Sequence, residues 1–528
     1  MQSGGVLRQT RSPMSVRFPA IVLAAGWLLS LPAQGQDPAA ERLHREAMRL
    51  SQQGDAGAAL EELQLLLQQF PRDRLAPAAL LDMVRLLRMT GDRDGTHAGL
   101  DKLLADYPRS VESAAAFVLQ AELKLEEARD EAALEEARKT FRRVPLLYGR
   151  ARYPVLPDRT MARVRSGEIS LRLDDPQAAV AELLAAAEDE PPSLWTGRAR
   201  LSLGDALLAA GDWLAAAEIW QRLASAAAAG ETRPEDLGAA IPTSTAGVRE
   251  AAARRLRFVD RHFLRPAAGQ RRWRSASRYP ASGLTLEEPS AVAAAEDGRV
   301  AVVDRRQRLL AAVAADGTVL DRRSLEDARR PAWHDDIWPS VATGTGVAQP
   351  FDGQRTSFSD PRPGKDAPVK DLLAAERGGF GDWFLISDHW KGLLVYADPR
   401  HGRELLADDR PQLEDLARDG RGRIYVLDRR ANTVTRLGAD ARRQETVVRG
   451  PDWRRPTALA VDRAGNVYVL DRGNRTVEVY DAAGRKQAEL GPDLGGGIEL
   501  RNPVDVAVDG NGRVFIADEK LPFLVVLE

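Results

Sequence analysis

Residues 456–485, PTALAVDRAGNVYVLDRGNRTVEVYDAAGR, decide the fold of the C-terminal half because this unit recurs through it. The unit contains an apolar strand at 457–461, a turn that ends at Gly465, a wholly apolar strand at 467–470 and an alternating strand at 476–480. A strand that is apolar on both faces must be covered on both faces. Radial stacking of small sheets supplies that cover. The stretch therefore predicts one blade of a β-propeller.

Five copies of the central apolar strand can be located, and each is followed by an aspartate: Asp304, Asp388, Asp428, Asp471 and Asp518. The unit resembles an NHL repeat, and NHL propellers usually have six blades. The first two aspartates are 84 residues apart, which is two periods. Residues 322–366 therefore hold either a sixth, degenerate blade or a long insertion in a five-bladed ring. Six blades are expected, although this segment shows no apolar strand pattern.

The two ends of the propeller are predicted to meet. The last blade stops at its third strand, residues 523–528, and lacks a fourth. Residues 271–279, RRWRSASRY, precede the first blade and are predicted to supply the missing outer strand. Without that strand two sheet edges would be left exposed.

The N-terminal half shows a second period. Gly54-Asp55 and Gly91-Asp92 are 37 residues apart, and each is followed by the same leucine spacing and by an aromatic-Pro pair. Weaker copies lie at Asp130, Asp174-Asp175 and Gly211-Asp212. The pattern resembles the tetratricopeptide (TPR) repeat, a pair of helices. About five helix pairs are expected, followed by a capping helix at 248–263.

The predicted fold is multidomain α and β, with an N-terminal α-solenoid of TPR-like helix pairs and a C-terminal all-β, NHL-like propeller. The expected divisions are a signal peptide at 1–35, helical repeats at 36–265, a linker at 266–270 and the propeller at 271–528. Arginines before an apolar run at 18–31 and small residues at 33–35 are typical of a cleaved export signal. We therefore expect a periplasmic or secreted bacterial protein without a transmembrane segment, a retained signal anchor being the alternative.

Composition limits the function. The 528 residues contain no cysteine, which excludes disulfides, thiolate metal sites and thiol nucleophiles. The net charge is −2, from 75 basic and 77 acidic residues, and gives no overall nucleic-acid footprint. The placement of charge therefore matters more than its sum.

The strand-closing aspartates are the most regular polar feature of the propeller. A row of carboxylates at one level of a ring can bind a cation. In the alternative, which the resemblance to NHL repeats favours, each carboxylate accepts hydrogen bonds from backbone N–H groups of the turn that follows. Asp304, Asp388, Asp428, Asp471 and Asp518 are therefore predicted to be structural turn residues. No metal-ligating residue is predicted.

Basic residues fill the turns after these aspartates. The candidate ligand-binding residues are Arg305, Arg306, Lys391, Arg429, Arg430, Arg472 and Arg475. Equivalent positions of a radial repeat share one face, so these side chains are predicted to converge on one rim. If the aspartate carboxylates are occupied by hydrogen bonds within their own turns, the rim is basic and suits an anionic ligand. An ordinary solvated surface is the alternative. Arg429 and Arg472 are expected to be exposed.

An enzyme is the alternative from another class. A propeller lyase or hydrolase with a divalent metal in its channel needs several converging histidines. The propeller contains His334, His389 and His401, of which only His389, beside Asp388, is well placed. Trp333 and Trp338 either stack on a sugar or pack in the core. No catalytic residue and no cofactor is predicted.

Both expected folds are scaffolds that carry function on their surfaces. The leading hypothesis is a non-enzymatic adaptor in the bacterial envelope. Its TPR groove is expected to bind a protein partner, and its propeller rim a second ligand, either an anionic envelope polymer or an acidic protein. RNA binding, which is known for some NHL propellers, is disfavoured by the export signal. No nucleic-acid partner is therefore expected.

Overall fold

The structure, a computed structural model, describes residues 37–528 apart from 190–191, 226–244, 269–270, 274, 281–282, 334–337, 352, 362–366, 388–391, 407–410, 439–440 and 442. The predicted signal peptide lies outside the described residues. Residues up to Thr96 and residues from His97 onward form two separate units. Among the described helices, none is both long and apolar enough to cross a membrane.

Helices fill the described part of the N-terminal half. They are α1 (Pro38–Gln52), α2 (Ala56–Gln69), α3 (Ala76–Met89), α4 (Arg93–Asp106), α5 (Val111–Glu127), α6 (Glu131–Leu147), α7 (Pro157–Arg172), α8 (Pro176–Ala187), α9 (Leu194–Ala209), α10 (Trp213–Ser225) and α11 (Thr245–Val259). A π-helical turn (Asp260–Leu264) and α12 (Arg265–Ala267) follow α11 directly. In the second unit, consecutive helices pack together from α5 to α11. The predicted solenoid of helix pairs is confirmed.

An aspartate starts the second helix of each pair. Its carboxylate accepts a hydrogen bond from the backbone N–H three residues later, at 2.8–3.1 Å, and so satisfies one of the unpaired donors of the first helical turn. The five are Asp55, Asp92, Asp130, Asp175 and Asp212. In four of the pairs the residue before the aspartate has a positive φ: Gly54, Gly91, Asp174 and Gly211. The Gly-Asp signature therefore encodes a left-handed turn followed by a helix cap.

Gly204 of α9 packs directly against Trp220 of α10. A Cβ atom at this position would lie 2.3 Å from Nε1 of Trp220. The Trp220 indole is fully buried and donates a hydrogen bond to the backbone oxygen of Leu201 at 3.2 Å. The indole occupies the space that a side chain at 204 would need.

We expect Gly204→Ala to lower the free energy of unfolding by about 1–3 kcal/mol, because the added methyl group overpacks the contact with Trp220. Gly197→Ala in the same helix is the matched control, since its Cβ would meet only Val248, at 3.6 Å. The control should gain up to about 1 kcal/mol from helix propensity. Urea denaturation measures both variants, and equal stabilities would contradict this account of the glycine.

The C-terminal half contains six four-stranded antiparallel sheets, numbered here as blades 1 to 6. Strand β1 (Ala276–Tyr279) comes before the strands of blade 1 in the chain. Blade 1 has β2 (Pro289–Ala294), β3 (Val300–Asp304), β4 (Leu309–Val313) and β5 (Val319–Ser324). Blade 2 has β6 (Ala328–Ala332), β7 (Ser340–Thr343), β8 (Gly346–Gln349) and β9 (Gln354–Thr356). Blade 3 has β10 (Leu372–Arg377), β11 (Trp383–Ser387), β12 (Leu393–Asp398) and β13 (His401–Leu405).

The remaining blades follow the same order. Blade 4 has β14 (Leu413–Arg418), β15 (Ile424–Asp428), β16 (Thr433–Leu437) and β17 (Gln444–Arg449). Blade 5 has β18 (Pro456–Val461), β19 (Val467–Asp471), β20 (Thr476–Tyr480) and β21 (Lys486–Leu490). Blade 6 has β22 (Pro503–Val508), β23 (Val514–Asp518) and β24 (Leu524–Leu527), and β1 is its outer strand.

Two predictions about the ring are confirmed. Blade 2 lies within 322–366, so the ring has six blades. Its pattern was invisible because β7 and β8 are four residues long and consist mostly of small side chains. The ring closes as expected, with Ala276 opposite Leu527 and Tyr279 opposite Leu524. Closure removes the two free sheet edges.

The helices of the second unit lie against one face of the propeller, where the turns between first and second strands protrude. Arg421 and Arg423 donate to Asp174 at 2.7 and 3.0 Å, and Arg463 donates to Asp205 at 2.9 Å. His262 is buried between Phe258 and Trp273, and a Cβ at Gly512 would lie 2.6 Å from its Nε2. The helical segment continues to Ala267, past the expected boundary at 265.

Candidate functional site

The predicted rim arginines lie on turns between second and third strands, at the opposite end of the strands from the helices. Five of them form ion pairs with glutamates: Arg305 and Arg472 with Glu519 (3.2 and 2.9 Å), Arg306 with Glu287 (3.0 Å), Arg429 with Glu414 (2.8 Å) and Arg475 with Glu499 (3.3 Å). Arg305 of blade 1 and Arg472 of blade 5 reach the same carboxylate, because Glu519 lies on the turn of blade 6 between them.

Among the described rim residues, these five cations are therefore balanced by carboxylates, whereas the sequence suggested an unbalanced basic surface. Glu519 belongs to one of these turns, whereas Glu287 and Glu499 lie in other loops and Glu414 lies in β14, so that counting charges in the turns alone overlooked most of them. The side chains of Arg429 and Arg472 are also only 29% and 26% exposed, which corrects the expectation of freely exposed groups. The backbone N–H of Arg430 donates to Asp428 at 2.8 Å. Lys391 lies outside the described residues.

The described strand-closing aspartates serve their own turns. Asp471 is fully buried, and its carboxylate accepts from the backbone N–H groups of Arg454, Arg455, Gly473 and Asn474 at 2.7–3.3 Å. Asp304, Asp428 and Asp518 accept equivalent bonds from the loop before and the turn after. Backbone donors occupy these oxygens in the four described residues. Asp388 lies outside the described part.

The candidate site is a cavity of about 670 Å³ on the face that carries the helices, called here the chamber. Its roof is formed by α5, α7, α9 and α11, and its floor by the first strands of all six blades. The inner helices of these repeats thus face the chain's own propeller. From α5 onward, the propeller therefore occupies the groove in which a protein partner was expected.

Charge in the chamber is balanced. Ten arginines and ten carboxylates line it, and most of the roof charges pair with one another. Glu168 of α7 accepts from Arg198 at 2.7 and 2.8 Å and from Arg165 at 3.3 Å, and these cations hold its pKa below the usual range despite its burial. Asp205 of α9 likewise binds Arg255 and Arg463.

Arg330 of blade 2 crosses the propeller channel. One of its terminal nitrogens, Nη1, contacts Asp415 of blade 4 and lies 3.1 Å from Asp505 of blade 6. The other, Nη2, donates to the backbone oxygen of Thr457 in blade 5 at 2.6 Å. The side chain from one blade therefore ties together three blades on the far side of the ring.

The two aspartates also join neighbouring blades. Asp415 accepts from the N–H of Leu459 at 2.7 Å, and Asp505 accepts from the N–H of Val292 at 2.9 Å. Burial, and the closeness of a second carboxylate, raise the pKa of Asp415 to about 7, against the opposing charge of Arg330. Burial raises the pKa of Asp505 as well.

Glu376, near the end of β10, is another acidic residue of the floor whose titration is strongly altered. Burial raises the pKa of its carboxyl to about 8, although the nearby Arg418 opposes the shift. At neutral pH this carboxyl is therefore largely protonated and can donate a hydrogen bond into the chamber.

Sequence reasoning did not identify Arg330, Glu376, Asp415 or Asp505 as site residues. A signal was present, because each is a charged residue inside the first strand of its blade, where apolar residues predominate. Trp333 does reach the chamber wall, with the Arg299 guanidinium 4.7 Å from its ring, whereas Trp338 stacks on Phe351 with centroids 4.6 Å apart.

Of the three histidines considered for a metal site, the structure describes one. The exposed His401 lies 2.7 Å from Asp398 of its own turn. His334 and His389 lie outside the described residues. Within the described ranges, no group of three or more histidine and carboxylate side chains is arranged to hold a metal ion.

No protein-family model matches the sequence, and a search of curated proteins finds no match. Among solved structures, virginiamycin B lyase from Staphylococcus aureus is similar at 10% identity over 48% of this chain and 98% of that chain, with a TM-score of 0.35. Regucalcin, a calcium-binding protein from Agrobacterium tumefaciens, is similar at 15% identity over 48% and 93%, with a TM-score of 0.35. A tetratricopeptide repeat protein from Parabacteroides merdae is similar at 18% identity over 36% and 67%, with a TM-score of 0.28. By its own helix packing and sheet order, the chain is a TPR-like helical repeat followed by a six-bladed propeller.

Proposed function

We propose that this protein is a non-enzymatic binding adaptor of the bacterial envelope, and that its small-molecule ligand occupies the chamber. The observation that carries the proposal is a cavity of about 670 Å³ between the inner helices and all six first strands. Cavities of this size, placed between two structural parts and lined by convergent polar groups, are the usual location of a ligand. The envelope location rests on the export signal predicted at 1–35.

The lining supports a polar ligand without net charge. Equal numbers of arginines and carboxylates line the chamber, and the protonation of Glu376 leaves only a small positive excess of charge at neutral pH. Because these groups lie in a partly dehydrated space, a ligand that carried a single uncompensated charge would lose hydration without a matching field. A zwitterion or an uncharged polyol can instead offer donors to the carboxylates and acceptors to the guanidinium groups. Trp333 offers an aromatic surface on the same wall.

Ala293→Trp is expected to abolish ligand binding in the chamber, because Ala293 lines the cavity and an indole at this position fills part of it. The measurement is a thermal-shift screen of net-neutral short peptides and sugars, together with singly charged analogues. Net-neutral members are expected to raise the melting temperature of the parent by several degrees, since a ligand at 100 times its Kd adds about 2.7 kcal/mol.

Ala483→Trp, on an exposed turn of blade 5, is the matched control and should respond like the parent. A parent protein that no net-neutral compound stabilises would contradict the proposal. So would an equal shift in the Ala293→Trp variant, because binding would then lie outside the chamber.

A lyase or hydrolase acting in the same chamber is a second candidate, and Glu376 is the observation that favours it. A carboxyl with a pKa of about 8 can transfer a proton at neutral pH. Such proton transfer, unlike a metal-dependent reaction, is compatible with the positive charge of Arg330, whose side chain crosses the channel. Incubation of a stabilising compound with the parent and with Glu376→Gln separates the candidates, because only an enzyme converts it and loses that activity in the variant.

A further inference from the structure

A second cavity, of about 550 Å³, lies between α4, α5, α6 and the loop at 148–156, away from the chamber. It is called here the arginine groove, and its main lining residues are Arg109, Phe117, Arg143, Leu147, Arg152 and Tyr153. Two tyrosines anchor the wall: Tyr148 donates to the backbone oxygen of Pro108 at 2.9 Å, and Tyr153 to that of Arg109 at 2.7 Å. The groove is therefore built by packed side chains rather than by a free loop.

Three guanidinium groups of the groove lack an acidic partner. In the part of the chain that the structure describes, Arg109, Arg143 and Arg152 are exposed and form no ion pair. Arginines nearby behave differently. Arg142 pairs with Glu182, and Arg165 with Glu122.

Aromatic rings orient two of these unpaired charges. The Arg143 guanidinium lies 4.7 Å from the centre of the Phe117 ring, and that of Arg152 lies 5.6 Å from the Tyr153 ring. Such contacts favour the cation but leave its N–H groups available for hydrogen bonds. Asp101, the acidic lining residue, accepts a hydrogen bond from Gln120 at 3.4 Å. The groove therefore presents a net positive surface to solvent.

Apolar side chains are exposed on the segment of chain that contributes Leu147, Arg152 and Tyr153 to the groove. Leu146, Leu147 and Val155 are 81%, 55% and 67% exposed, so three large apolar residues lie uncovered within ten positions of the chain. Exposed apolar groups beside unpaired arginines are typical of a protein interface, where arginine is enriched. The surface is concave, which fits an inserted segment of polypeptide.

We propose that the arginine groove binds an extended, acidic segment of a partner protein. Its carboxylates would pair with Arg109, Arg143 and Arg152, and an apolar side chain of the segment would cover Leu147. This partner is the protein that the proposed adaptor joins to its chamber ligand, so the inference rests on the adaptor function. The two sites are separate, and each can fail without the other.

Selection from a random octapeptide display library on the purified full-length protein tests this inference. Peptides rich in Asp and Glu, with one or more Leu or Phe, are expected to be enriched. A fluorescein-labelled enriched peptide should bind Arg109→Ala/Arg152→Ala about tenfold more weakly, and all binding should weaken with added salt. Arg222→Ala, an exposed arginine of α10, is the control and should leave the affinity unchanged.

Enrichment of peptides without acidic residues would overturn the inference, as would equal affinity for the double variant. A surface for anionic lipid would instead bind phosphatidylglycerol vesicles in an arginine-dependent way and enrich no peptide, which also overturns it. Circular dichroism and the melting temperature check that the double variant folds. The thermal-shift response of this variant to chamber ligands reports separately on the proposed function.

Discussion

Replacing Arg330 with methionine is expected to lower the free energy of unfolding by about 3–5 kcal/mol at pH 8, the cost of leaving buried charges without a partner. The side chains of Asp415 and Asp505 are only 4% and 5% exposed, and they share one nitrogen of this guanidinium. Methionine keeps an unbranched apolar side chain, although a shorter one, and has no charge. Both carboxylates would then stay close together in the channel with no cation between them. Urea denaturation of the full chain, followed by fluorescence, measures the loss.

The loss should shrink as the pH falls. The pKa of Asp415 is already raised to about 7 in the folded protein, and removing Arg330 raises it further. The pKa of an aspartate in the unfolded protein is about 3.9. A carboxyl whose pKa is higher than this in the folded protein stabilises the folded state when it is protonated, at low pH. Its stabilising effect is lost as the pH rises through the folded pKa. The difference between Arg330→Met and the parent should therefore be largest at pH 8 and small near pH 5.

The neighbouring residue provides the control. Arg329 pairs with Asp327 outside the channel at 3.3 Å, so Arg329→Met should change the stability by less than about 1 kcal/mol. Adding Asp415→Asn and Asp505→Asn to Arg330→Met should recover part of the loss, because the uncompensated charges are removed. A loss that does not vary with pH and is not recovered would show that Arg330 stabilises the channel by packing alone.

The second large effect is expected for Asp471→Ala, at about 3–5 kcal/mol. The variant leaves four backbone N–H groups around a fully buried position without their acceptor, and each unsatisfied donor costs about 1–3 kcal/mol. Asp471→Asn keeps one acceptor oxygen and should lie between the alanine variant and the parent. Urea denaturation again gives the values.

Asp316→Ala is the control that tests whether the loss of any turn aspartate lowers the stability as much. Asp316 is exposed and accepts from the N–H of Thr318 at 2.9 Å, so its removal should cost less than about 1 kcal/mol. Equal losses of stability in the two alanine variants would show that the burial of Asp471 does not increase its contribution. Addition of calcium should leave the parent's stability unchanged, because backbone donors already occupy the carboxylate.

The repeated features of the fold were predictable because they follow a period. The Gly-Asp spacing identified helix pairs whose aspartates act as caps, and the apolar strand before each strand-closing aspartate identified five of the blades. Blade 2 was harder to detect, since Ser340–Thr343 and Gly346–Gln349 carry small side chains. The missing outer strand was predicted from the edge that the last blade would otherwise expose.

The candidate site was not predictable in the same way. Arg330 acts through Asp415 and Asp505, which lie 85 and 175 positions further along the chain, and no periodic pattern relates them. The chamber also depends on how α7, α9 and α11 lie on the propeller, which is decided by contacts such as that between Asp205 and Arg463. The candidate residues that the sequence does indicate lie on the opposite face, where their basic charge is visible in the sequence but their pairing with glutamates is not.

The pairing of β1 with β24 determines when the propeller can close during synthesis of the chain. Residues 276–279 are made early in the propeller, but they have no sheet partner until residues 524–527 have been synthesised. Joining segments that are so far apart in sequence is slow, because a long loop must close first. The ring therefore stays open during translation. A chain that crosses a membrane in an unfolded form would benefit from this delay, since the propeller becomes locked only after its last strand has arrived.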